Sequence, residues 1–415
     1  MHLGDHHELS HHRFRLKFTE LNEIYIFNSL RSLAFSFVTI FIPIYLLSLG
    51  YTIQAILSYY IIFYLFEAFT EFISVHLIRF LGPKHVITLS VPFVITHFFL
   101  LQTLSRYNWP LYFVALTGAI ALGLYWQAYH YDFSKSKRRS TATKDVSRSY
   151  FLLYFTMMIA PLVGGILSDS FGIYITFTVV IALLLLGTLV LFKTGERHCR
   201  KRAVNFKLIN FREIRGDIIS RFGLGWEVSA SMVIWPLFIY LILESYQSVG
   251  LVTSVSMILA MAAVYLVGKK VDRSKETKIE IIKMSSITKS MVYIFKIFVT
   301  SIFAVYAVNI FRAITGAILN VNLDSEYYLR ADEKSRSEYI FVIETVIDIS
   351  RAIFFLILLV ASYYFSVRGI AVLGFLLGSI GAIMASFMTV TMNNKMVNNK
   401  KIKVLPRPQK RSSNA

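Results

Sequence analysis

Cysteine is all but missing from this chain. Cys199 stands alone among 415 residues, which excludes an intrachain disulfide and a thiolate metal cluster. Acidic residues are scarce: 24 Asp and Glu face 43 Lys and Arg, a net charge of +19. No Gly-rich phosphate loop occurs, so nucleotide hydrolysis is not the source of power. No His/Asp pairing or metal-ligand spacing forms a catalytic constellation, so enzymatic activity is not expected. A cleavable leader is not expected either, because the first apolar run is too long and others follow it. Room for a soluble domain is lacking too. About twelve apolar segments, each near the ~20 residues that cross a bilayer, leave ~35 residues per span and loop.

What the chain has is hydrophobic residues, 56% of the total, and an ordered distribution of charge. Roughly 35 of the Lys and Arg fall in the two tails and the even-numbered gaps between apolar segments, and about two (Arg106, Arg368) in the odd-numbered gaps, a positive-inside bias. A polytopic protein of the cell membrane with both termini in the cytoplasm is expected. The bias accounts for the net charge better than a nucleic-acid partner does, with attraction to anionic lipid a secondary effect.

The spacing predicts helices 1 to 6 near residues 27–50, 53–78, 86–104, 111–130, 150–167 and 173–192. Helices 7 to 12 are predicted near 218–243, 248–267, 282–300, 302–323, 339–365 and 367–390. The domain organisation that follows is a His-rich tail (1–24), a first six-helix bundle (25–192), a basic linker (193–217), a second bundle (218–392) and a basic tail (393–415). His2, His6, His7, His11 and His12 in the first tail read either as metal ligands or as part of a disordered polar segment. The halves look like copies. Ile42-Pro43-Ile44-Tyr45-Leu46 in helix 1 resembles Trp235-Pro236-Leu237-Phe238-Ile239-Tyr240-Leu241 in helix 7, and Tyr51 and Tyr246 follow at similar distance. Thr117-Gly118-Ala119-Ile120 in helix 4 recurs as Thr315-Gly316-Ala317-Ile318 in helix 10. Both matches imply an offset of about 190–200 residues, as in parallel six-helix repeats.

Three segments carry local motifs. Helix 5 contains Ala160-Pro161-Leu162-Val163-Gly164-Gly165, where Pro bends the helix and the glycines admit another backbone. Gly268-Lys269-Lys270-Val271-Asp272-Arg273 follows helix 8, and Arg79-Phe80-Leu81-Gly82-Pro83-Lys84 follows helix 2. With twelve spans divided by a basic linker, the chain resembles the major facilitator superfamily of the twelve-helix type. The helix-5 segment resembles that family's Gly-Pro-x-x-Gly-Gly signature, with Ala160 for the first Gly. The earlier glycines of the long antiporter form are missing, so antiport is not implied. The segment after helix 8 resembles Gly-x-x-x-Asp-Arg, with Lys275 where a Gly usually follows. The family's acidic residue latches the cytoplasmic side. Asp272 is therefore expected near the start of helix 5, received by Arg148 and the positive helix end, a solvated loop charge being the alternative. The segment after helix 2 keeps Gly82 and Lys84 but has Arg79 where Asp is expected. The symmetry of the halves then suggests a charge-swapped latch between Arg79 and Glu338.

A charge at the bilayer centre costs at least ~2.5–3.5 kcal/mol on insertion scales, so each needs a partner or a wet cavity. The acidic candidates are Glu67, Glu71, Glu227, Glu344 and Asp348; the basic ones are Arg31, Arg221, Lys289, Lys296, Arg312 and Arg351. Glu67 and Glu71 share one face of helix 2, and Glu344, Asp348 and Arg351 one face of helix 11. In the resembled fold these helices meet between the halves, which implies a Glu67–Arg351 pair with Asp348 nearby. The group reads as a proton carrier or as a static paired network. The resemblance lines the central cavity with helices 1, 4, 7 and 10, where this chain offers Arg31, Trp126, Gln127, Trp226, Glu227, Trp235, Asn309 and Arg312. Arginine forks suit carboxylate or phosphate, so Arg312 binds an anion or pairs with Glu227. The aromatic run from Tyr125 to His130 at the inner end of helix 4 belongs partly to the interfacial belt. His97 is a proton shuttle or a packing residue. Lys289 is expected to snorkel, and Lys296 on the same face has no account.

The resemblance implies an all-α membrane fold of two pseudo-symmetric six-helix bundles. It implies a monomeric secondary active transporter, without cofactor or metal, that rocks its halves about a midplane site. The expected partners are a small solute, protons and lipid. The solute is anionic, zwitterionic or an exported drug-like compound. A non-transporting receptor or scaffold and a membrane-embedded lipid-modifying enzyme are the alternatives.

Overall fold

The computed structural model describes residues 20–190, 204–269 and 275–390, and helix is the only regular structure among them. Helix 1 runs Glu20–Ser36 and resumes as Ile42–Ser48 after a 3-10 turn. Helices 2 to 6 are Ile53–Leu81, Pro83–Gln102, Leu111–Ser136, Ala142–Phe171 and Ile173–Thr188. Helix 7 is Arg215–Ser229, continued through a π-helical segment, Ala230–Ile234, into Trp235–Leu243. Helices 8 to 12 are Tyr246–Lys269, Lys275–Lys296, Ile302–Glu333, Arg336–Ala361 and Val367–Met384.

Nine of these spans are long and apolar enough to cross a membrane, and Ile173–Thr188 is apolar but shorter. Helices 9 and 11 complete the twelve. They fall outside a hydropathy criterion because they carry the charges that the interior uses.

The chain departs from the predicted boundaries where hydropathy alone misleads. Helix 5 starts at Ala142 rather than near 150. Helix 7 starts at Arg215, inside the expected linker. Helix 10 runs to Glu333 rather than stopping near 323. No Gly or Pro interrupts it between Ala317 and Ser335, and its charged last turns find partners on other helices.

The two prolines of the repeat mark corresponding irregularities. Thr39–Phe41 is a 3-10 turn just before Pro43, and Ala230–Ile234 is a π segment just before Pro236. Proline cannot donate to the preceding turn, so the ladder changes register there. Two seams join the halves: helix 2 lies on helix 11, and helix 5 on helix 8. In the repeat helix 2 corresponds to helix 8 and helix 5 to helix 11, so the seams are images of each other.

The buried apolar residues fall into two layers. One includes Val38, Leu57, Phe98, Phe177, Trp235 and Phe355. The other includes Tyr125, Phe133, Ile282, Tyr327 and Ile340, and lies toward the end that carries the basic loops.

Candidate functional site

The helix 2–helix 11 seam holds the densest set of carboxyls. Glu67, Glu71, Glu344 and Asp348 are all buried. Arg351 reaches Asp348 Oδ1 on its own helix at 3.2 Å, and the expected Glu67–Arg351 bond is not made. Both carboxyl oxygens of Glu67 are without a hydrogen-bond partner. Glu71 accepts from Thr345 Oγ1 at 3.2 Å. Glu344 accepts from Tyr327 Oη at 2.7 Å, and His130 Nε2 stands 3.6 Å from its Oε1. Helix 4 presses on the back of this group at Gly123, where a Cβ would sit 2.7 Å from the Glu67 carbonyl oxygen. Four carboxyls thus face one bonded guanidinium and one imidazole across the seam, and Arg31 and Arg221 act on Glu67 and Glu344 by charge alone.

Arg31 of helix 1 is buried and makes no ion pair among the described residues. Its guanidinium carbon lies 3.3 Å from the Tyr125 ring centre and 4.1 Å from that of Phe35. Such stacking is worth about 2 kcal/mol when desolvated, and it leaves the guanidinium without a bonded carboxylate, with Glu67 acting on it only by charge. Trp126 is half-buried and stacks on the His130 ring at 5.4 Å. Gln127 is fully buried with neither amide atom hydrogen-bonded. His97 contacts the Val114 carbonyl through Nδ1 at 2.9 Å, inside the first half. It packs there, away from the seams.

The second half answers the question left open at Arg312. Glu227 is bonded by Lys289, with Nζ 2.8 Å from Oε2, and by the Tyr293 hydroxyl at 2.6 Å. Lys289 therefore does not snorkel, and Glu227 is not the partner of Arg312. Arg312 donates from Nε to Asn309 Oδ1 at 2.9 Å and has no carboxylate partner among the described residues. Asn309 also accepts from Trp235 Nε1 at 3.0 Å and donates to Ser256 Oγ at 2.8 Å. Asn309 is buried between helices 7, 8 and 10, and Trp235 is buried against Lys296 of helix 9 and Phe375 of helix 12, so both pack inside the second half where a cavity-lining position was expected. Trp226 is half-buried, with its indole N–H unpartnered. Lys296 is fully buried with no hydrogen-bond partner for its ammonium. It lies 3.9 Å from the Tyr293 ring centre and 4.7 Å from that of Trp235.

At the basic end the expected latch gives way to another. Asp272 and Arg273 lie outside the described residues, as do both tails beyond 20 and 390. Gly268 is near the end of helix 8. Arg148 is largely exposed, 3.8 Å from Asp145. Gly82 caps helix 2 with φ 86°, a conformation open to glycine, and Pro83 begins helix 3. Lys84 is committed to Glu23 of helix 1 at 2.8 Å, with neither side chain exposed. Glu338 accepts from the Asn205 backbone N–H at 3.0 Å, not from Arg79, which is half-buried beside Phe80.

The halves are clasped here by the extension of helix 10. Lys137 reaches Asp332 at 2.6 Å, and Arg139 reaches Glu333 at 2.9 Å. Tyr150 donates to Asp324 at 2.7 Å, and Arg221 holds the other Asp324 oxygen at 2.8 Å. Lys278 bonds Glu326 at 2.6 Å and Thr143 at 3.5 Å. Arg330 bonds Asp217 at 3.0 Å, and Lys334 bonds Glu213. Burial draws the Lys137 ammonium below the usual lysine range, against the opposing bond and charge of Asp332. Lys334, by hydrogen bond and then by charge, holds the exposed Glu213 carboxyl below its ordinary value.

The opposite end is closed as well. Asp169 at the end of helix 5 accepts from Gln247 N at 2.8 Å and Ser245 Oγ at 2.9 Å. Gln54 donates to the Ser362 carbonyl at 3.1 Å. Between the ends, the helix-5 motif meets other backbones directly. Gly164 lies on the Phe37 carbonyl, in the break of helix 1. A Cβ on Gly165 would sit 2.6 Å from the Tyr246 carbonyl oxygen, and Gly250 of helix 8 lies on the Pro161 carbonyl. Ala160 and Pro161 are buried at the same crossing.

Sequence reasoning missed Lys137, Arg139, His130, Asp217 and the acidic face of the helix 10 extension. The unbroken helical run after Ala317 was the available signal. Comparison with known proteins yields one family and a set of folds. The Major Facilitator Superfamily model matches residues 24–355. The human organic anion transporter MFSD10 (TETRAN) superposes with TM-score 0.66 at 11% identity, over 89% of this chain and 98% of that one. The E. coli fucose:proton symporter FucP superposes with TM-score 0.63 at 13% identity, over 89% and 98%. FucP in the outward conformation gives 0.62 at 13%, over 89% and 99%. No curated protein sequence matches the chain.

Proposed function

Since the chain belongs to the Major Facilitator Superfamily and is therefore a multi-pass membrane transporter rather than an enzyme, we propose that it couples movement of a small solute to movement of protons. The observation that carries this reading is the helix 2–helix 11 seam. Glu67, Glu71, Glu344 and Asp348 gather there around Arg351, and Glu67 has no hydrogen-bond partner. Carboxyls outnumbering cations inside a membrane need another counter-charge, and a proton supplies it without a cavity. The group lies between the halves, so its proton occupancy bears on how they pack.

The solute is anionic or zwitterionic. Arg31 and Arg312 support this, because neither is bonded to a carboxylate among the described residues, and guanidinium forks match carboxylate and phosphate. The basic end faces the cytoplasm and the protein resides in the cell membrane as a monomer, a placement supported by the charge of its loops.

The test is proton release from the purified protein as a panel of carboxylates, phosphates, amino acids and sugars is added. Release with one class, lost in Glu67→Gln or Asp348→Asn, is the expected result. No release with any solute, alongside binding seen by thermal shift, overturns proton coupling.

A further inference from the structure

We propose that His130 is the group that takes protons from the acidic seam and delivers them to the basic end, a role that rests on the proton-coupled reading above. His130 belongs to helix 4 of the first half, yet its polar partners are in the second. Nδ1 lies 2.7 Å from Tyr328 Oη of helix 10, and Nε2 lies 3.6 Å from Glu344 Oε1 of helix 11. Stacking on Trp126 at 5.4 Å fixes the ring plane. Its side chain is 13% exposed and that of Glu344 10%, whereas Glu67 and Glu71 are 1% and Asp348 2% exposed, so water has a route to this pair that the deeper seam carboxyls lack.

The other groups that face this pair set its surroundings. Tyr327 donates to Glu344 at 2.7 Å. Arg221 of helix 7 lies over the Tyr327 ring at 4.5 Å and is bonded to Asp324. Tyr129 is the neighbour on His130's own helix. Asp348 lies one turn deeper on the face of helix 11 that carries Glu344, with Glu71 across from it. Glu344 is thus the seam carboxyl nearest the basic end.

The transfer balances without any further reagent. With Nδ1–H donating to Tyr328, Nε2 presents a lone pair to Glu344. The gap of 3.6 Å closes to hydrogen-bond length by a shift of about 0.6 Å. The O–H bond of Glu344 breaks, an N–H bond forms at Nε2, and a carboxylate and an imidazolium remain as an ion pair between the halves. Release of that proton to water at the basic end restores the neutral ring and removes the attraction. Donor and acceptor sit on opposite halves, so the path exists while the basic end is shut, and proton release loosens the contact that shuts it.

The test needs no substrate. Spin labels are placed through Lys144→Cys and Glu280→Cys, exposed sites at the basic end of each half, in a Cys199→Ser background. The full chain is held in lipid nanodiscs, and the inter-label distance is recorded from about pH 5 to about pH 8.5. The ratio of closed to open populations is expected to fall at least about fivefold as pH rises. His130→Gln, which keeps a hydrogen-bonding side chain of similar size, and Glu344→Gln are each expected to flatten the response while the thermal unfolding temperature stays near that of the parent. A His130→Gln distance that follows pH like the parent overturns the relay, and so does a parent distance indifferent to pH. The solute panel fails separately: no proton release with any solute overturns the coupling, and the relay with it, whatever the distance does.

Discussion

Lys289 of helix 9 closes onto Glu227 of helix 7 at 2.8 Å, each side chain only 3% exposed. The pair anchors a network with Tyr293 and Ser231 beside the π segment of helix 7. It leaves Arg312 free of Glu227.

Breaking this pair from one side strands a buried charge. Lys289→Met is expected to cost about 3–5 kcal/mol, read as loss of thermal stability in detergent. The double variant with Glu227→Gln is expected to recover most of the loss. A double variant as unstable as the single one contradicts the pairing.

Lys296 is the converse case. Its ammonium has three rings around it and no carboxylate bond, so its charge is a burden on the fold. Lys296→Met keeps the stem and is expected to stabilise the protein by at least about 1 kcal/mol. A lowered unfolding temperature would show that the ammonium has a task in the packed state.

The clasp at the basic end is open to a charge swap. Lys137→Asp and Asp332→Lys are each expected to shift the inter-label distance toward the open population, because each sets like charges together. The double swap is expected to restore closure at least in part. If the double swap stays open while both single variants are open, the 2.6 Å contact is not what holds the halves.

Gly165 has backbone where its Cβ would go, 2.6 Å from the Tyr246 carbonyl oxygen. Gly165→Leu is expected to cost about 1–3 kcal/mol, the range for overpacking, and to leave the end opposite the basic loops unable to shut. Cysteine labelling at Ser245→Cys is expected to rise in that background. Labelling and stability both unchanged would mean that helices 5 and 8 part without consequence.

Glu213 gives a pH signature with a definite sign. Its carboxyl is held below the ordinary glutamate value of 4.5 by Lys334. The folded state thus binds a proton less readily than the unfolded one, and the contribution is present above that value. It is lost as pH falls from about 4.5 through the lowered value. The gap in melting temperature between the parent and Glu213→Gln is expected to be small, as for exposed pairs, and to vanish at the acid end. A gap that widens on acidification contradicts the assignment.

The spans and the six-plus-six division were legible because a bilayer imposes length and hydropathy on each crossing. Seam carboxyls were legible because an acid inside an apolar run stands out. Their partners were not. The sequence placed Glu67 opposite Arg351, but a three-residue step along one helix lets Arg351 satisfy Asp348 instead. Lys289 read as a snorkelling residue because nothing in helix 9 shows that Glu227 waits on helix 7. The helix 10 extension read as loop because charge ends an apolar window without ending a helix. Glu338 and Arg79 were paired by symmetry, and symmetry of backbone does not carry over to charges.

The clasp also has an order in time. Lys137 is made before its acidic partner Asp332, 195 residues away in the chain. At ordinary synthesis rates that separation is about 10 to 40 s. The first half therefore enters the membrane before the carboxylates that its donors Lys137, Arg139 and Tyr150 will bond. The helix 5–helix 8 seam is complete by residue 269, and the basic end is fastened only when the far end of helix 10 leaves the ribosome.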